Sequence, residues 1–413
     1  MHVIGTAGHV DHGKSTLVER LTGIDPDRFA EEKRRGLTID LGFAWLTLPS
    51  GNEIGIIDVP GHERFIRNML VGAGGTTVCL FVVAANEGWK PQSAEHLAIL
   101  HVLGVTSAVV ALTKSDTVDP EALAAVRADI EKRLTPSTLR GAPIVACSAI
   151  TGDGLESLIE ELDRVVQAAE PAPDLGRPRL WVDRVFTIAG AGTVVTGTLA
   201  GGALGVGDAV EIAPEGRRAR IRSIQSHKKG LERVVPGNRT ALNLAGLDRQ
   251  GAERGDAIVS TGQWQPTDSV HASITVLDPA IAGREHELVE RGAHLLYVGS
   301  AETPVRLRFV GTDRIGPGAT GNAVLHMRDP MPLARGDRFV LRDAGRVLTF
   351  GGGVILDPQP TLARRDPRLL PLLENLTNAN ADDALRALLA VEGSIPKEAA
   401  RLRTGIETIP ADI

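Results

Sequence analysis

The chain has 413 residues, room for roughly three domains of the usual size of about 150. Its 43% hydrophobic share suits packed cores, and no apolar run approaches the ~18 residues that span a bilayer. A formal net charge of −6 speaks against broad, nonspecific nucleic-acid binding and leaves room only for a local basic patch.

The first segment, His2-Val3-Ile4-Gly5-Thr6, reads as a buried strand. It runs into Gly8-His9-Val10-Asp11-His12-Gly13-Lys14-Ser15, which satisfies the phosphate-loop spacing, and Thr16-Leu17-Val18-Glu19-Arg20-Leu21 then has helical spacing. A strand, a glycine turn and a helix aim backbone N–H groups and the positive helix end at a polyphosphate. Lys14 would neutralise the outer phosphates, and the Ser15 hydroxyl would take one position on Mg2+. Gly8, His12, Gly13 and Thr16 complete the expected cradle.

The apolar strand Ile54-Gly55-Ile56-Ile57 ends in Asp58-Val59-Pro60-Gly61-His62-Glu63. A carboxylate at that strand end can hold the magnesium, directly or through water, and Gly61 lets the backbone reach the terminal phosphate. A third strand, Ala108 to Leu112, precedes Thr113-Lys114-Ser115-Asp116. The Asp116 carboxylate can accept both N1–H and N2–H of guanine, a donor pair that adenine lacks, so the nucleotide is GTP. Ser148-Ala149, after Ile144 to Cys147, stands where a backbone N–H would read the guanine O6. Cys79 and Cys147 lie inside apolar segments and read as buried small hydrophobes, neither a disulfide nor a metal pair. Met1 leads directly into the first strand, so a cytoplasmic protein without membrane association is expected.

Pro171-Ala172-Pro173-Asp174 reads as a linker after a helix containing Leu155 to Val166. Beyond it, short runs of Val, Ile, Thr and Leu alternate with glycine turns, as in Gly192 to Leu199, which is barrel material. Arg217, Arg218, Arg220 and Arg222 suggest one face of a strand, with His227-Lys228-Lys229 in the following loop. A solvated face and an RNA contact both fit that patch. A second break at Gln263 to Pro266 precedes another β-rich block that closes at Gly351 to Leu356. Helical periodicity then marks Leu369 to Leu376, Ala381 to Val391 and Lys397 to Arg403.

His9 to Lys14, the segment Arg35-Gly36-Leu37-Thr38-Ile39-Asp40 and Asp58 to Glu63 together resemble the translational GTPases of the elongation-factor Tu superfamily, up to about residue 360. The resemblance implies an α/β P-loop GTPase domain followed by two antiparallel β-barrel domains and the helical start of a C-terminal, winged-helix-like region. The expected boundaries are 1–172 for the GTP-binding domain, 174–262 for the barrel that walls the aminoacyl-tRNA pocket, 266–360 for the second barrel and 361–413 for an incomplete helical region. It also implies GTP/GDP and Mg2+ as cofactors, Thr38 as the mobile threonine on the metal, and His62 as the residue that orients the attacking water. Asp11 would help hold a monovalent cation or the phosphates. Thr113 departs from the usual Asn, whose amide ties the base to the phosphate loop, which implies weaker guanine holding. Members of the superfamily specialised for selenocysteine tolerate that exchange. No arginine stands as a catalytic finger, so slow hydrolysis awaiting the ribosome is expected.

The segment Arg346 to Gly353 resembles the selenocysteine-specific branch, and the cargo crevice points the same way. Aligning Val185 to Ile188 with the superfamily pattern puts Asp183 and Arg184 on its wall, and aligning Leu242 to Gly246 puts Arg239 beside them, where general carriers have a neutral Asn. Two guanidinium groups, held in place by Asp183, suit an anionic selenolate over a neutral seryl group, and an ordinary surface ion pair of Asp183 with Arg239 is the other reading of the same residues. The implied function is GTP-dependent delivery of selenocysteyl-tRNA to the ribosome by a monomer, with Arg220, Arg222, Lys228 and Lys229 as possible tRNA contacts. A messenger-RNA hairpin would be bound only through a C-terminal region mostly absent here. The alternatives are a general aminoacyl-tRNA carrier, a GTPase that activates a sulfate-adenylylating partner, and a non-hydrolysing adaptor. The cationic wall speaks against the first two, and the presence of Lys14, Ser15, Thr38, Asp58 and His62 against the third.

Overall fold

The computed structural model describes residues 2–26, 38, 40–62, 65–73, 76–188, 192–247, 251–345 and 348–406. The expectations on Arg35, Gly36, Leu37, Ile39, Glu63, Arg346 and Val347 lie outside the described residues.

The apolar runs of the first part form one sheet of six strands: β1 (His2–Ala7), β2 (Gly42–Thr47), β3 (Glu53–Asp58), β4 (Val78–Ala84), β5 (Ser107–Thr113) and β6 (Ile144–Ala146). Their order is β2-β3-β1-β4-β5-β6, with β2 antiparallel at the edge and the others parallel. All seven residues of β4 are buried, as expected of a parallel strand covered on both faces. The helices are α1 (Lys14–Thr22), α2 (Ile66–Ala73), α3 (Pro91–Val102), α4 (Pro120–Leu134) and α5 (Leu155–Ala168). Leu158, Leu162, Val165 and Val166 of α5 share one face and enter the core beside Ile4, Leu80 and Val109. The carboxyl ends of β1, β3 and β5 lead into the motif-bearing loops, where open α/β sheets bind ligands.

Two all-β bodies follow. Strands 209–213, 257–260, 179–181, 192–200, 239–245 and 217–226 pair in that order, and pairing of 209–213 with 217–226 closes the ring. The second body is a closed barrel of strands 267–276, 320–331, 301–310, 294–298, 338–343 and 348–357. Burial alternates along 192–200 and 239–245, the period-2 pattern of a strand with one face inward. Three helices, Leu369–Thr377, Ala381–Glu392 and Lys397–Thr404, complete the described chain. Leu369, Leu372, Leu373 and Leu376 pack on Val310, Val324 and Leu356 of the second barrel.

The bodies meet through side chains. Leu277, Ile281, Tyr297 and Val340 of the second barrel share one apolar cluster with Leu97, Leu100 and Val102 of α3. Glu95 of α3 also accepts from the Thr349 backbone N–H at 3.1 Å. On the first barrel, His227 stacks on Trp45 of β2, and Lys229 pairs with Glu53 of β3. Cys79 and Cys147 are buried free thiols. Among the described residues no helix is long and apolar enough to cross a membrane.

Candidate functional site

β1 delivers the chain into a loop that visits the left-handed region at Gly8, Asp11 and Gly13, with φ of 131°, 62° and 85°. A Cβ on Gly8 would lie 2.1 Å from the Val82 carbonyl oxygen, so only glycine fits there. Gly13 then caps α1 without a side-chain hydrogen bond, and Thr16 lies exposed on its first turn. The first-turn N–H groups of such a helix are ready donors for an anion. The buried Lys14 folds over the loop, its Nζ donating to the carbonyls of Gly8 at 3.1 Å and His9 at 2.7 Å. Burial pushes its pKa down to about 8 against the pull of Asp58 and Asp11.

Two residues that the sequence reading passed over pin this loop from α3. Gln92 Oε1 accepts from the Val10 N–H at 3.0 Å, and His96 Nδ1 accepts from the Gly8 N–H at 2.9 Å. Burial pushes the His96 pKa down to about 3 and that of His12 to about 4, so both rings are neutral at physiological pH.

An oxygen cluster lies at the head of α1. Thr6 Oγ1 donates to Asp58 Oδ1 at 2.8 Å, Ser15 Oγ donates to Asp58 Oδ2 at 2.6 Å, and the Thr38 hydroxyl lies 2.7 Å from that of Ser15. These hard oxygen donors fit a small divalent cation that completes its shell with phosphate oxygens and water. Gly61 closes the opposite wall. A Cβ there would meet Lys14 Nζ at 2.5 Å and the Val10 nitrogen at 2.6 Å, so the backbone after Asp58 comes right up to the phosphate loop. His62 follows, half-buried, its ring 6.0 Å from that of Phe65.

On the base side, Lys114 has a φ of 55° and its Nζ pairs with Glu87 at 3.2 Å, while Asp116 is exposed on a short 3-10 turn. The Ser115 N–H donates to the Cys147 carbonyl at 3.3 Å, which ties this turn to the Ser148-Ala149 loop. Ser148 is buried, and its hydroxyl accepts from the N–H groups of Ile150 and Thr151, fixing that loop around the half-buried Ala149. Thr113 ends β5 directly beside the phosphate loop. Its hydroxyl donates to the His12 carbonyl at 2.7 Å, so this residue still ties β5 to the phosphate loop.

At the seam between the sheet and the first barrel, arginines and carboxylates gather around Phe43. Arg239 makes a two-pronged pair with Asp183, its Nη2 donating to Oδ1 at 2.7 Å, and Asp183 also accepts from Thr196 Oγ1 at 2.8 Å. Arg184 is held from the other side, by Asp40 at 3.0 Å and by the Leu41 carbonyl. Both guanidinium groups lie over the Phe43 ring, at 4.5 Å for Arg184 and 4.1 Å for Arg239. Arg254 adds a third cation whose Nε and Nη2 are buried without a hydrogen-bond partner among the described residues. Its pKa is lowered, first by burial and then by Arg67, while Asp40 and Asp183 act in the opposite sense. Phe43 and Arg254 have no local signature, and Asp40, though it ends the Arg35 to Asp40 segment, meets Arg184 only through the fold. The possible tRNA contacts divide. Arg220 and Arg222 are exposed on one face of strand 217–226, with Arg220 donating to the Gly207 carbonyl, whereas Lys228 lies over Trp45 and Lys229 on Glu53.

A phosphate loop, an oxygen cluster on the first helix and a guanine-side turn, joined to two barrels, define a GTP-binding protein of the elongation-factor Tu type. Residues 1–168 match the elongation factor Tu GTP binding domain family, and residues 192–259 match elongation factor Tu domain 2. The selenocysteine-specific elongation factor of Desulfomicrobium baculatum is 40% identical over 97% of this chain and 63% of its own length. That of Escherichia coli K12 is 36% identical over 93% of this chain and 60% of its own length. A crystal structure of bacterial selenocysteine-specific elongation factor EF-Sec superposes with a TM-score of 0.87 at 30% identity, covering 98% of this chain and 66% of that one. Translation elongation factor SelB from Methanococcus maripaludis, in complex with the GTP analogue GppNHp, gives 0.75 at 28% identity over 87% of this chain and 80% of that one. The chain carries the elongation factor Tu GTP binding domain followed by elongation factor Tu domain 2, and over most of its length it is similar to selenocysteine-specific elongation factors. It spans less than two thirds of the length of the curated relatives it matches.

Proposed function

We propose that this chain binds GTP with Mg2+, hydrolyses it in response to the ribosome, and carries selenocysteyl-tRNA to the ribosome as a cytoplasmic monomer. Ser15, Thr38 and Asp58 would hold the cation, and Lys14 with the loop N–H groups would hold the outer phosphates. The cation, when bound, offsets phosphate charge as the terminal phosphoryl group leaves. His62, beside Gly61 at the terminal-phosphate end, would orient the attacking water. Asp116, Lys114 and the Ser148-Ala149 loop would read guanine, with Thr113 tying that side to the phosphate loop.

The observation that carries the cargo reading is the crevice. Asp183 and Asp40 offset Arg239 and Arg184, which leaves Arg254 as an excess positive charge. Selenols are far more acidic than thiols, so the selenocysteyl side chain enters as an anion and the seryl side chain as a neutral group. Two unit charges 4 Å apart interact by about 1 kcal/mol in water and about 4 kcal/mol near a protein surface, so a charge filter of one to three decades is within reach. A general carrier gains nothing from such a wall.

The test is protection of the aminoacyl ester against hydrolysis, with GTP, for selenocysteyl and seryl forms of one tRNA body. Strong protection of the selenocysteyl form is expected, falling at least tenfold in Arg239→Ala, which also leaves Asp183 as an unpaired anion in the crevice. Equal protection of both forms would replace the charge filter by a reader of the tRNA body or a general carrier. Protection of neither, with GTP still bound, would favour the adaptor or the sulfate-pathway reading.

A further inference from the structure

We propose that Glu87 is a positioning residue of the guanine side: it tethers the Lys114 ammonium so that the lysine stem stands ready as a wall for the base. This rests on the reading of Lys114 as a guanine-site residue. The Lys114 backbone is fixed at both flanks, by the Thr113 hydroxyl on the His12 carbonyl at 2.7 Å and by the Ser115 N–H on the Cys147 carbonyl at 3.3 Å. Lys114 itself takes a left-handed φ of 55°, and its side chain reaches the turn between β4 and α3. There its Nζ lies 3.2 Å from Glu87 Oε1, while Lys90 approaches the other carboxylate oxygen at 3.8 Å.

Glu87 serves as a fixed post because its turn is held at several points. The N–H groups of Glu87 and Gly88 both donate to the Ala84 carbonyl, at 3.2 and 2.8 Å, and the Ala85 N–H donates to the Thr113 carbonyl at 2.8 Å. Two residues on, Trp89 stacks on Phe81 at 5.3 Å with the rings 4° apart, and the Arg133 guanidinium lies 5.6 Å from the indole. Burial alone would raise the Glu87 pKa, yet its hydrogen bond and charge pairing with Lys114 hold it below the ordinary carboxylate value, so it is ionised at neutral pH. A lysine carries its ammonium on a flexible four-carbon stem, and ordering that stem is entropically unfavourable. The pair with Glu87 orders it before a nucleotide arrives, so the base meets a wall already in place. The same carboxylate also acts toward the phosphates, in the opposite sense, because its charge reaches His9 and His12 of the phosphate loop. Lys114 and Lys90 offset that charge at close range, so the tether outweighs the repulsion.

Binding of GTP, GDP and GMP to the full chain, read by displacement of a fluorescent guanine nucleotide, separates the two effects. Glu87→Gln is expected to weaken all three about threefold, because they share the base and a partly exposed ion pair contributes on that scale. Lys114→Met should weaken them at least as far, and Glu87→Gln should add nothing in that background. Glu87→Asp, which keeps the charge on a shorter stem, should recover part of the loss. In about 1 M salt, where charges are screened beyond about 3 Å, the parent and Glu87→Gln should converge, which a folding defect would not do. Tighter binding that grows from GMP to GTP would make Glu87 a guard of the phosphate loop and overturn the tether. A loss that persists in salt, or one that Glu87→Gln still adds to Lys114→Met, overturns it too. Weaker binding in Lys114→Met with Glu87→Gln silent overturns the tether and leaves the guanine-side reading standing. Silence of Lys114→Met overturns both.

Discussion

Thr113 performs with a hydroxyl a tie that the superfamily usually makes with an amide. The shorter side chain reaches because the phosphate loop comes to it: the His12 carbonyl lies 2.7 Å from Oγ1 and the Val83 carbonyl 3.3 Å. Thr113→Val keeps the shape and removes the donor, leaving the His12 carbonyl short of that partner. A net hydrogen bond is worth about 1 kcal/mol, so GTP and GDP should each bind roughly fivefold more weakly. Fluorescent-nucleotide titration reads this directly. A loss confined to GTP would mean that Thr113 acts through the terminal-phosphate end of the site instead. The identity of Thr113 is plain in the sequence, but its reach is a distance between two loops, and no local pattern encodes such a distance.

Helix α3 shows which elements a sequence can describe and which it cannot. α5 has a clear apolar face, and its periodicity alone marks it as a helix lying against the sheet. α3 is buried on nearly every side: Ser93, His96, Leu97, Ala98, Ile99, Leu100 and Val102 are all enclosed. Its pattern therefore names no face, although it joins the phosphate loop, through Gln92 and His96, to the second barrel, through Glu95. The crevice was half legible for a related reason. Asp183, Arg184 and Arg239 follow from strand alignment, whereas Asp40 and Phe43 come from one segment and Arg254 from another. His96 gives this helix a pH signature. Its pKa is about 6.5 when unfolded and about 3 in the fold, so the unfolded chain holds the extra proton between those values. Stability contributed by the neutral ring is then fully present above about pH 6.5 and falls as pH drops toward 3, by up to about 1.4 kcal/mol per unit. His96→Gln keeps an acceptor for the Gly8 N–H and does not titrate. Its urea midpoint should fall less steeply than that of the parent between pH 6.5 and 4. Identical slopes would mean that His96 takes up its proton in the fold as readily as in the unfolded chain.

The three C-terminal helices could be a loosely attached appendage or part of one cooperative body, and a buried ion cluster decides for the second. Arg403, 3% exposed, donates to both Asp357 oxygens at 2.9 and 2.6 Å and to Glu392 at 2.9 and 2.6 Å. Burial opposes its charge, yet Glu392 and Asp357 hold its pKa above the ordinary arginine value. Arg335 of the second barrel adds bonds to the carbonyls of Leu376 and Ala379, so polar contacts run both ways across the apolar seam. Replacing one member of such a cluster leaves a charge that water cannot reach. Arg403→Met should therefore cost about 3–5 kcal/mol in urea unfolding, while Arg403→Met with Asp357→Asn should recover a large part of it. Nucleotide affinity should stay unchanged, because the described hydrogen bonds of Lys14, Ser15 and Asp58 run to Gly8, His9, Thr6, Thr38 and one another, far along the chain from these helices. Limited proteolysis of the single variant distinguishes the two architectures. Cleavage near residues 360–368 with the barrel left intact would mean that the helices open on their own and that the cluster only closes a seam. Loss of the helices and the second barrel together would make them one unfolding unit, held by the Arg403 cluster and the Arg335 bonds as much as by the leucines of the seam.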